Sequence, residues 1–418
     1  MKIGILGAGV AGLASAYFLK DNFPDLQIHE ASAEVGGLAR SFEWHGFACD
    51  LAPHRLYTTD EELLAELRAL VPMVRVRRRS RIYLQGKWIR DPVNAAEMVF
   101  KFLPRKSARL VWHYLARRDH GDASFESLVL TQFGAGLNEM FFKPYSEKLF
   151  GIPAHEISAD WGRRKIRVAG LRDMIRRRSK LYFKDFYYPR SGGYGAIAER
   201  LRREVEELLH LNSRLVAVSQ DTATGRYACR FADSSGAERV EEFDALVSSL
   251  PLDGFARFFG LELNLRFRPA RITYLLVARD RVTDNHWFYF ADRDFAVNRV
   301  AEFKNFVDDG LPPGRTVLCC EVTDVENSST ERVVSELERI GVLSAREILD
   351  AKTIELSHAY PIYDRGYDAE LRRAEAFFAA HPNVHMIGRH ARFEHKDVDE
   401  IFEEAKLLAR RLPARPPA

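Results

Sequence analysis

The residues best placed to do chemistry stand at the start of the chain. Gly7-Ala8-Gly9-Val10-Ala11-Gly12 comes after the apolar run Lys2-Ile3-Gly4-Ile5-Leu6 and precedes residues 13–20, which read as the start of a helix. A Gly-x-Gly-x-x-Gly run between strand and helix is built for a dinucleotide pyrophosphate. Gly7 permits the tight turn, Gly9 lets phosphate approach the backbone, and Gly12 lets the helix lie close on the strand. The N–H groups at the helix start, with Val10 and Ala11, would receive the phosphates, aided by the helix dipole. Glu30 closes the apparent second strand, 18 positions beyond Gly12. A carboxylate there accepts hydrogen bonds from ribose hydroxyls and repels a 2′-phosphate, which favours FAD or NAD over NADP. A second pair, Gly36-Gly37, can bring two more N–H groups close to a phosphate.

The residues just beyond Glu30 separate FAD from NAD. Glu34-Val35-Gly36-Gly37-Leu38-Ala39-Arg40-Ser41, then Gly46-Phe47-Ala48-Cys49-Asp50-Leu51-Ala52-Pro53-His54, resembles the second signature of a large flavoprotein group. That group contains amine oxidases, protoporphyrinogen oxidase, phytoene desaturases and UDP-galactopyranose mutase. The resemblance implies FAD, with Gly37 and Leu38 passing its pyrophosphate and Arg40 touching the cofactor. It also places Leu215 with its backbone on adenine. Gly388, Arg389 and Asp399 fall on a late strand and helix start beside the flavin ribityl chain and pyrimidine edge. His54 matches a histidine on the loop facing the flavin, and the glycine-rich stretch 188–197 matches one that packs near it.

Three further stretches are similar to the sugar-nucleotide branch of that group. The first is Phe141-Phe142-Lys143-Pro144-Tyr145, with Lys148, Ile152-Pro153 and Trp161. The second is Trp287-Phe288-Tyr289-Phe290, with Arg299 ten positions after Tyr289 and then Asn305-Phe306. The third is Ala359-Tyr360-Pro361. The resemblance implies a substrate diphosphate held by Tyr289, Arg299, Tyr360 and Arg389. Catalytic roles then fall on His54, Arg299 and Arg389. Three positions depart from the pattern. Lys165 stands where relatives carry an arginine, Phe306 where tyrosine is usual, and His395 where tyrosine is found. All three fall on the expected diphosphate and sugar site, and none on the FAD fingerprint, which reads as a retained cofactor with an altered substrate. Each residue also has a plainer reading. Arg163, Arg164 and Lys165 would make a solvated helix face, residues 287–290 a half-buried strand, and His54 a core-satisfied histidine.

These residues need a scaffold of matching size. A chain of 418 residues can bury a large core in two or three domains. A hydrophobic content of 46% and a net charge of +3 suit a soluble globular enzyme and argue against nucleic acid as the main partner. Cys49, Cys229, Cys319 and Cys320 show neither metal spacing nor a disulfide framework, so no metal is expected and a reducing cytoplasm fits. No signal peptide is read before the first strand, and no apolar run is long enough to span a bilayer.

The expected fold is α/β, with a Rossmann-like FAD-binding domain of the GR2 flavoprotein type, a mixed-sheet substrate domain and a helical insertion. The FAD domain would comprise residues 1–75, 186–255 and 381–418, the insertion 76–185 and the substrate sheet 256–380. Within these, residues 81–89 read as a hairpin turning near Gln85-Gly86. Strands at 211–218, 227–231 and 245–249 would return to the FAD sheet. A helix over 326–340 would be capped near Asn327 and Ser328. Residues 94–118 form a basic amphipathic pattern, which lies on a membrane surface in some proteins and more often packs on its own.

Two enzymatic readings emerge. A mutase of the sugar-nucleotide kind would interconvert pyranose and furanose rings through N5 of reduced FAD, with an external reductant such as NAD(P)H. An oxidoreductase of the amine oxidase, desaturase or protoporphyrinogen oxidase type would oxidise its substrate and pass electrons to an acceptor. A flavin-binding protein acting only by interaction is a third reading.

Overall fold

The computed structural model describes residues 1–91, 97, 100–102, 104–165 and 184–412. Part of the helix expected over 94–118 lies outside the described residues.

A five-stranded parallel sheet is ordered Val384–Met386, Ala245–Ser248, Ile3–Leu6, Leu26–His29, Leu209–His210. Ile3–Leu6 and Ala245–Ser248 are buried at every position. Short, nearly all-apolar strands covered on both faces are what a parallel sheet requires. Helix Val10–Leu19 and helix Val398–Arg411 pack on one another, with Phe18 and Phe402 meeting edge to face at 5.8 Å.

A seven-stranded sheet is ordered Ile348–Pro361, Phe267–Val277, Thr316–Val322, Val297–Glu302, Trp287–Phe290, Ser80–Leu84, Lys87–Arg90. The last two form the hairpin expected over 81–89. Gln85 and Gly86 at its turn have φ of 47° and 78°, the pair of positive values that a tight two-residue turn demands. The register of this sheet explains the ten-residue spacing. Tyr289 lies directly opposite Arg299, and Arg299 directly opposite Glu321, so the three stand in one row across adjacent strands.

Two expectations are corrected. Arg214–Gln220 and Tyr227–Ala232 do not join the parallel sheet. With Glu238–Phe243 they form a separate antiparallel sheet of three strands. Glu238–Phe243 has a largely exposed pattern, as suits an antiparallel sheet with one wet face. Only Ala245–Ser248 returns to the first sheet. The helix expected over 326–340 spans Thr330–Arg339 and is capped by Ser329, whose hydroxyl accepts from Arg332 N at 3.2 Å.

Asp50, at the end of the strand pair Ser41–Trp44 and Phe47–Asp50, ties that pair to strand Asp185–Pro189, to the turn before helix Ala196–Glu204 and to the seven-stranded sheet. Its carboxylate accepts from Ser41 Oγ at 2.6 Å, Tyr188 Oη at 2.8 Å and Tyr194 N at 2.8 Å. Its carbonyl accepts from Tyr274 Oη at 2.7 Å. Burial pushes its pKa up to about 6, against the pull of those three donors on the side chain.

Lys148 locks helix Lys143–Phe150 onto the loop between strands Trp287–Phe290 and Val297–Glu302. Its ammonium donates to the carbonyls of Phe290, Asp292, Phe295 and Val297 at 2.7–3.2 Å. Burial lowers its pKa to about 8. Lys148→Met would strand four acceptors. It is expected to cost about 3 kcal/mol, read as a shift in denaturation midpoint.

Candidate active site and cofactor cradle

The cradle forms where strand Ile3–Leu6 turns into helix Val10–Leu19. Gly7 has φ +94°, and a Cβ there would meet Ser249 Oγ at 2.5 Å. A Cβ on Gly12 would lie 1.9 Å from the Gly7 carbonyl oxygen. The second glycine pair folds across this turn. Gly36 N donates to Ala8 O at 2.8 Å, and Gly9 bridges Gly36. A Cβ on Gly37 would stand 3.3 Å from Gly9 Cα. Gly388, with φ +83°, comes so close that its Cβ would meet Ala11 Cβ at 2.6 Å. Three backbone segments therefore converge at one helix N-terminus, and side chains are excluded from the junction. That arrangement fits a dinucleotide pyrophosphate.

Glu30 lies beside it. Its Oε2 accepts from Ala8 N at 2.8 Å, and its Oε1 accepts from Ser32 N and Ser32 Oγ, each at 2.9 Å. A carboxylate has about four acceptor positions, so one remains for a ribose hydroxyl. Arg40 pairs with Glu34 at 2.5 Å on the rim. Leu38 sits in the short turn Gly37–Ala39. Leu215 lies half-buried in the three-stranded sheet. Asp399 is buried in the first turn of Val398–Arg411.

Beyond the cradle, a group of side chains stands close enough to interact electrostatically. His54 feels Arg389 and Arg299; Arg299 feels Glu321, Tyr360, Tyr289 and Tyr145. The His54 ring stacks on Tyr194 at 5.2 Å. Tyr145 meets Tyr289 edge to face at 6.1 Å. Arg389 donates from Nε and Nη2 to the Lys396 carbonyl at 3.2 and 2.9 Å. Burial raises the Tyr145 and Tyr360 phenols well above their ordinary value, so both stay protonated donors.

The expected clamp contains a carboxylate that spacing does not foretell. Glu321, only 3% exposed, accepts from Arg299 Nε at 2.8 Å and pairs with Arg299 Nη2 at 2.7 Å. It also accepts from the Tyr360 hydroxyl. Burial would lower the Arg299 pKa, but Glu321 and the tyrosines outweigh it and hold the guanidinium charged. The positive charge of Arg299 is therefore already matched. Tyr145 is the second residue that sequence reasoning misses. Its signal is present in the stretch 141–145, but only the packing of its helix over Tyr289 shows where it faces.

The three departures fall in different places. Phe306 is 4% exposed and packs against Phe186, Tyr188, His286 and Trp287. It belongs to the aromatic core, contrary to the expectation that it faces substrate, because the turn after Val297–Glu302 directs it inward. His395 meets Trp161 edge to face at 5.8 Å, and Trp161 in turn stacks on Tyr363. Lys165 ends helix Ala159–Lys165, and its side chain lies outside the described residues. Neighbouring Arg163 is turned to the surface, paired with Asp160 at 2.5 Å and with Asp122.

Acid sensitivity arises from the histidines. Burial lowers His29, His54 and His390 to about 3 and His286 to about 4. Unfolded, each would take a proton near 6.5. Their stabilising effect is complete above that pH and is lost as pH falls toward 3–4. Each contributes a slope of up to about 1.4 kcal/mol per pH unit. Asp50 works in the opposite sense between its unfolded 3.8 and its folded value near 6. Denaturant midpoints should therefore fall steeply below pH 6.5, and His54→Phe should flatten the slope by about one proton.

A parallel sheet with a three-part glycine cradle, sharing a core with a second sheet that carries half-buried Arg299, Tyr289 and Tyr360 and buried Glu321, defines a FAD-binding flavoenzyme. The chain belongs to the flavin containing amine oxidoreductase family, whose model matches residues 10–278. It is a FAD-dependent enzyme of that superfamily. A crystal structure of reduced UDP-galactopyranose mutase aligns with a TM-score of 0.82 at 20% identity, over 98% of this chain and 93% of that one. A structure from Exiguobacterium sp. 255-15, assigned as a protoporphyrinogen oxidase, aligns at 0.74 and 17% identity over 98% of both chains. At such identities the likeness is one of fold. Coproporphyrinogen III oxidase of Staphylococcus aureus (strain NCTC 8325 / PS 47) is 40% identical over 68 residues. That match spans 16% of this chain and 14% of the relative. Among the described residues no helix is long and apolar enough to cross a membrane, and no group of His, Cys, Asp and Glu could hold a metal ion.

Proposed function

We propose that this enzyme interconverts the pyranose and furanose forms of a nucleotide sugar, with a substrate altered from UDP-galactose. The observation that carries this reading is the convergence of Arg299, Arg389, Tyr145, Tyr289 and Tyr360 beside His54. Reduced FAD supplies a nucleophilic ring nitrogen, and a reductant such as NAD(P)H would keep it reduced. The chain's own residues need only bind and orient. Arg389 offers a guanidinium to the diphosphate, and Tyr145 and Tyr289 donate hydroxyls to it, while the Tyr360 hydroxyl stays on Glu321. His54 is neutral at working pH and stands as a hydrogen-bonding group at the flavin face. Cradle contacts fall to Gly7, Gly9, Val10, Ala11, Gly12, Glu30, Gly37, Leu38 and Arg40.

Glu321 supports a second reading, net oxidation of an amine or similar substrate. Glu321 cancels the charge of Arg299, so the pair adds no net positive charge with which to draw a diphosphate. One pair of assays separates the two. Dithionite-reduced protein is incubated with nucleotide sugars under nitrogen, and ring isomers are resolved by NMR. As-isolated protein is given amines and porphyrinogens, and oxygen uptake is monitored. Isomerisation that requires reduction supports the mutase. Acceptor-consuming turnover supports the oxidase and removes the mutase reading.

A further inference from the structure

Helix Pro104–Leu115 turns an apolar stripe to solvent. Trp112 is 68% exposed, Leu115 69%, and Val111 lies beside them on the same helix. Phe100, one turn upstream of the helix, is 87% exposed. These four make up half of the large exposed hydrophobics among the described residues, and they sit within sixteen positions of one another. The opposite face is already used. Ser107 is buried, and Leu110 and His113 pack against Gly136. The outward stripe is therefore not surplus core.

Arg105 and Arg109 flank the stripe at helical spacing, and both are exposed. Arg109 shares its charge with Glu139 at 3.5 Å, where both groups are solvated and weakly coupled. At the C-terminal end a cavity of about 220 Å³ opens beside Trp112, lined by Arg117, Arg118, His113 and His120. An indole over a cationic hollow, with aliphatic and phenyl groups beyond it, matches the layering of a lipid surface, in which acyl chains lie below anionic headgroups.

We infer that this face seats the enzyme on an anionic lipid bilayer, with Phe100, Trp112 and Leu115 entering the acyl boundary and Arg105, Arg109, Arg117 and Arg118 meeting headgroups. Lipid is the favoured partner because the apolar groups form a ridge whose rim is mainly basic, Glu139 and Asp119 being the acidic exceptions. A single apolar contact or basic residue would bind only weakly, but combined they are additive, about fivefold for each basic residue near the surface.

The test is sedimentation of the flavin-loaded protein with vesicles. Binding is expected to vesicles of phosphatidylglycerol and phosphatidylcholine in equal parts, to weaken with salt, and to be slight on phosphatidylcholine alone. Phe100→Ala/Trp112→Ala/Leu115→Ala should lower the bound fraction at least tenfold with flavin content unchanged, since all three groups are exposed. On the mixed vesicles, the tryptophan emission of the wild type should shift to the blue, and Trp112→Phe should remove most of the shift. Three results would overturn the proposal. The wild type stays in the supernatant with the anionic vesicles. The triple variant binds as well as the wild type. Light scattering shows a dimer that the triple variant splits, which would assign the ridge to a second copy of this chain.

Discussion

Gly12→Ala is expected to yield a protein that carries no flavin. The new methyl group would stand 1.9 Å from the Gly7 carbonyl oxygen and 3.1 Å from its carbon. Both are backbone atoms and have no rotamer to escape into. Gly7 is itself held at φ +94° against Ser249, whose hydroxyl donates to Leu6 O at 3.0 Å. The collision is relieved only by moving the helix off the strand or by opening the turn. Either movement displaces the N–H groups on which a pyrophosphate depends. Overpacking of this kind costs about 1–3 kcal/mol, and the cofactor's own contribution to stability is lost as well. The ratio of flavin to protein absorbance reads the cofactor, and a thermal melt reads the fold. Gly254→Ala is the internal control. That glycine lies in helix Leu252–Arg257 with nothing within 4 Å of its Cβ position, so alanine should leave flavin content alone and add up to about 1 kcal/mol. A yellow Gly12→Ala protein with normal flavin content would mean that the cradle lies elsewhere.

The cradle is legible in the sequence because its signal is local. Turn, glycine spacing, acid and second glycine pair lie close together in the chain, and each reports a backbone constraint that side-chain packing cannot override. The hairpin at Gln85-Gly86 is legible for the same reason. The features that escape depend on which strand lies beside which. The spacing between Tyr289 and Arg299 hints at a hairpin, but the strand on the other side of Arg299 arrives from residues 316–322, and nothing local marks Glu321 as its partner. Phe306 misleads because a phenylalanine at a tyrosine position looks like a site residue with its hydroxyl removed. The chain instead turns through Phe303–Asn305 and buries it. The strands at 214–220 and 227–232 belong to a different sheet from the one expected because strand periodicity does not name a neighbour. Asp50 passes as one letter of a signature, although it joins Ser41, Tyr188, Tyr194 and, through its carbonyl, Tyr274.

The same Arg299–Glu321 pair sets the second large effect. In Arg299→Met, Glu321 keeps the Tyr360 hydroxyl but loses its countercharge while only 3% exposed. Removing one partner of a buried ion pair costs about 3–5 kcal/mol, and the remaining donor argues for the lower end. Glu321→Met should cost a similar amount, because it leaves a guanidinium uncompensated. Arg299→Met/Glu321→Met removes both charges and should cost only about 1 kcal/mol, which makes the coupling energy in the double-mutant cycle about 5 kcal/mol. Binding should obey a different order. An unpaired Glu321 repels phosphate, so Arg299→Met is expected to lose at least a hundredfold in nucleotide-sugar affinity, or about 2.7 kcal/mol. The double variant should stay below the wild type, because it lacks the outer Nη1 side of the guanidinium, which Glu321 does not occupy. Flavin content should be unchanged in all three, since neither residue touches the glycine cradle. Calorimetry on the reduced proteins measures the affinities, and urea unfolding measures the stabilities. If Arg299→Met instead tightens binding of a cationic amine and leaves nucleotide-sugar affinity untouched, Glu321 is the substrate anchor and the oxidase reading replaces the mutase. If flavin and nucleotide-sugar binding are lost together, Arg299 supports the cofactor, and the diphosphate is held elsewhere.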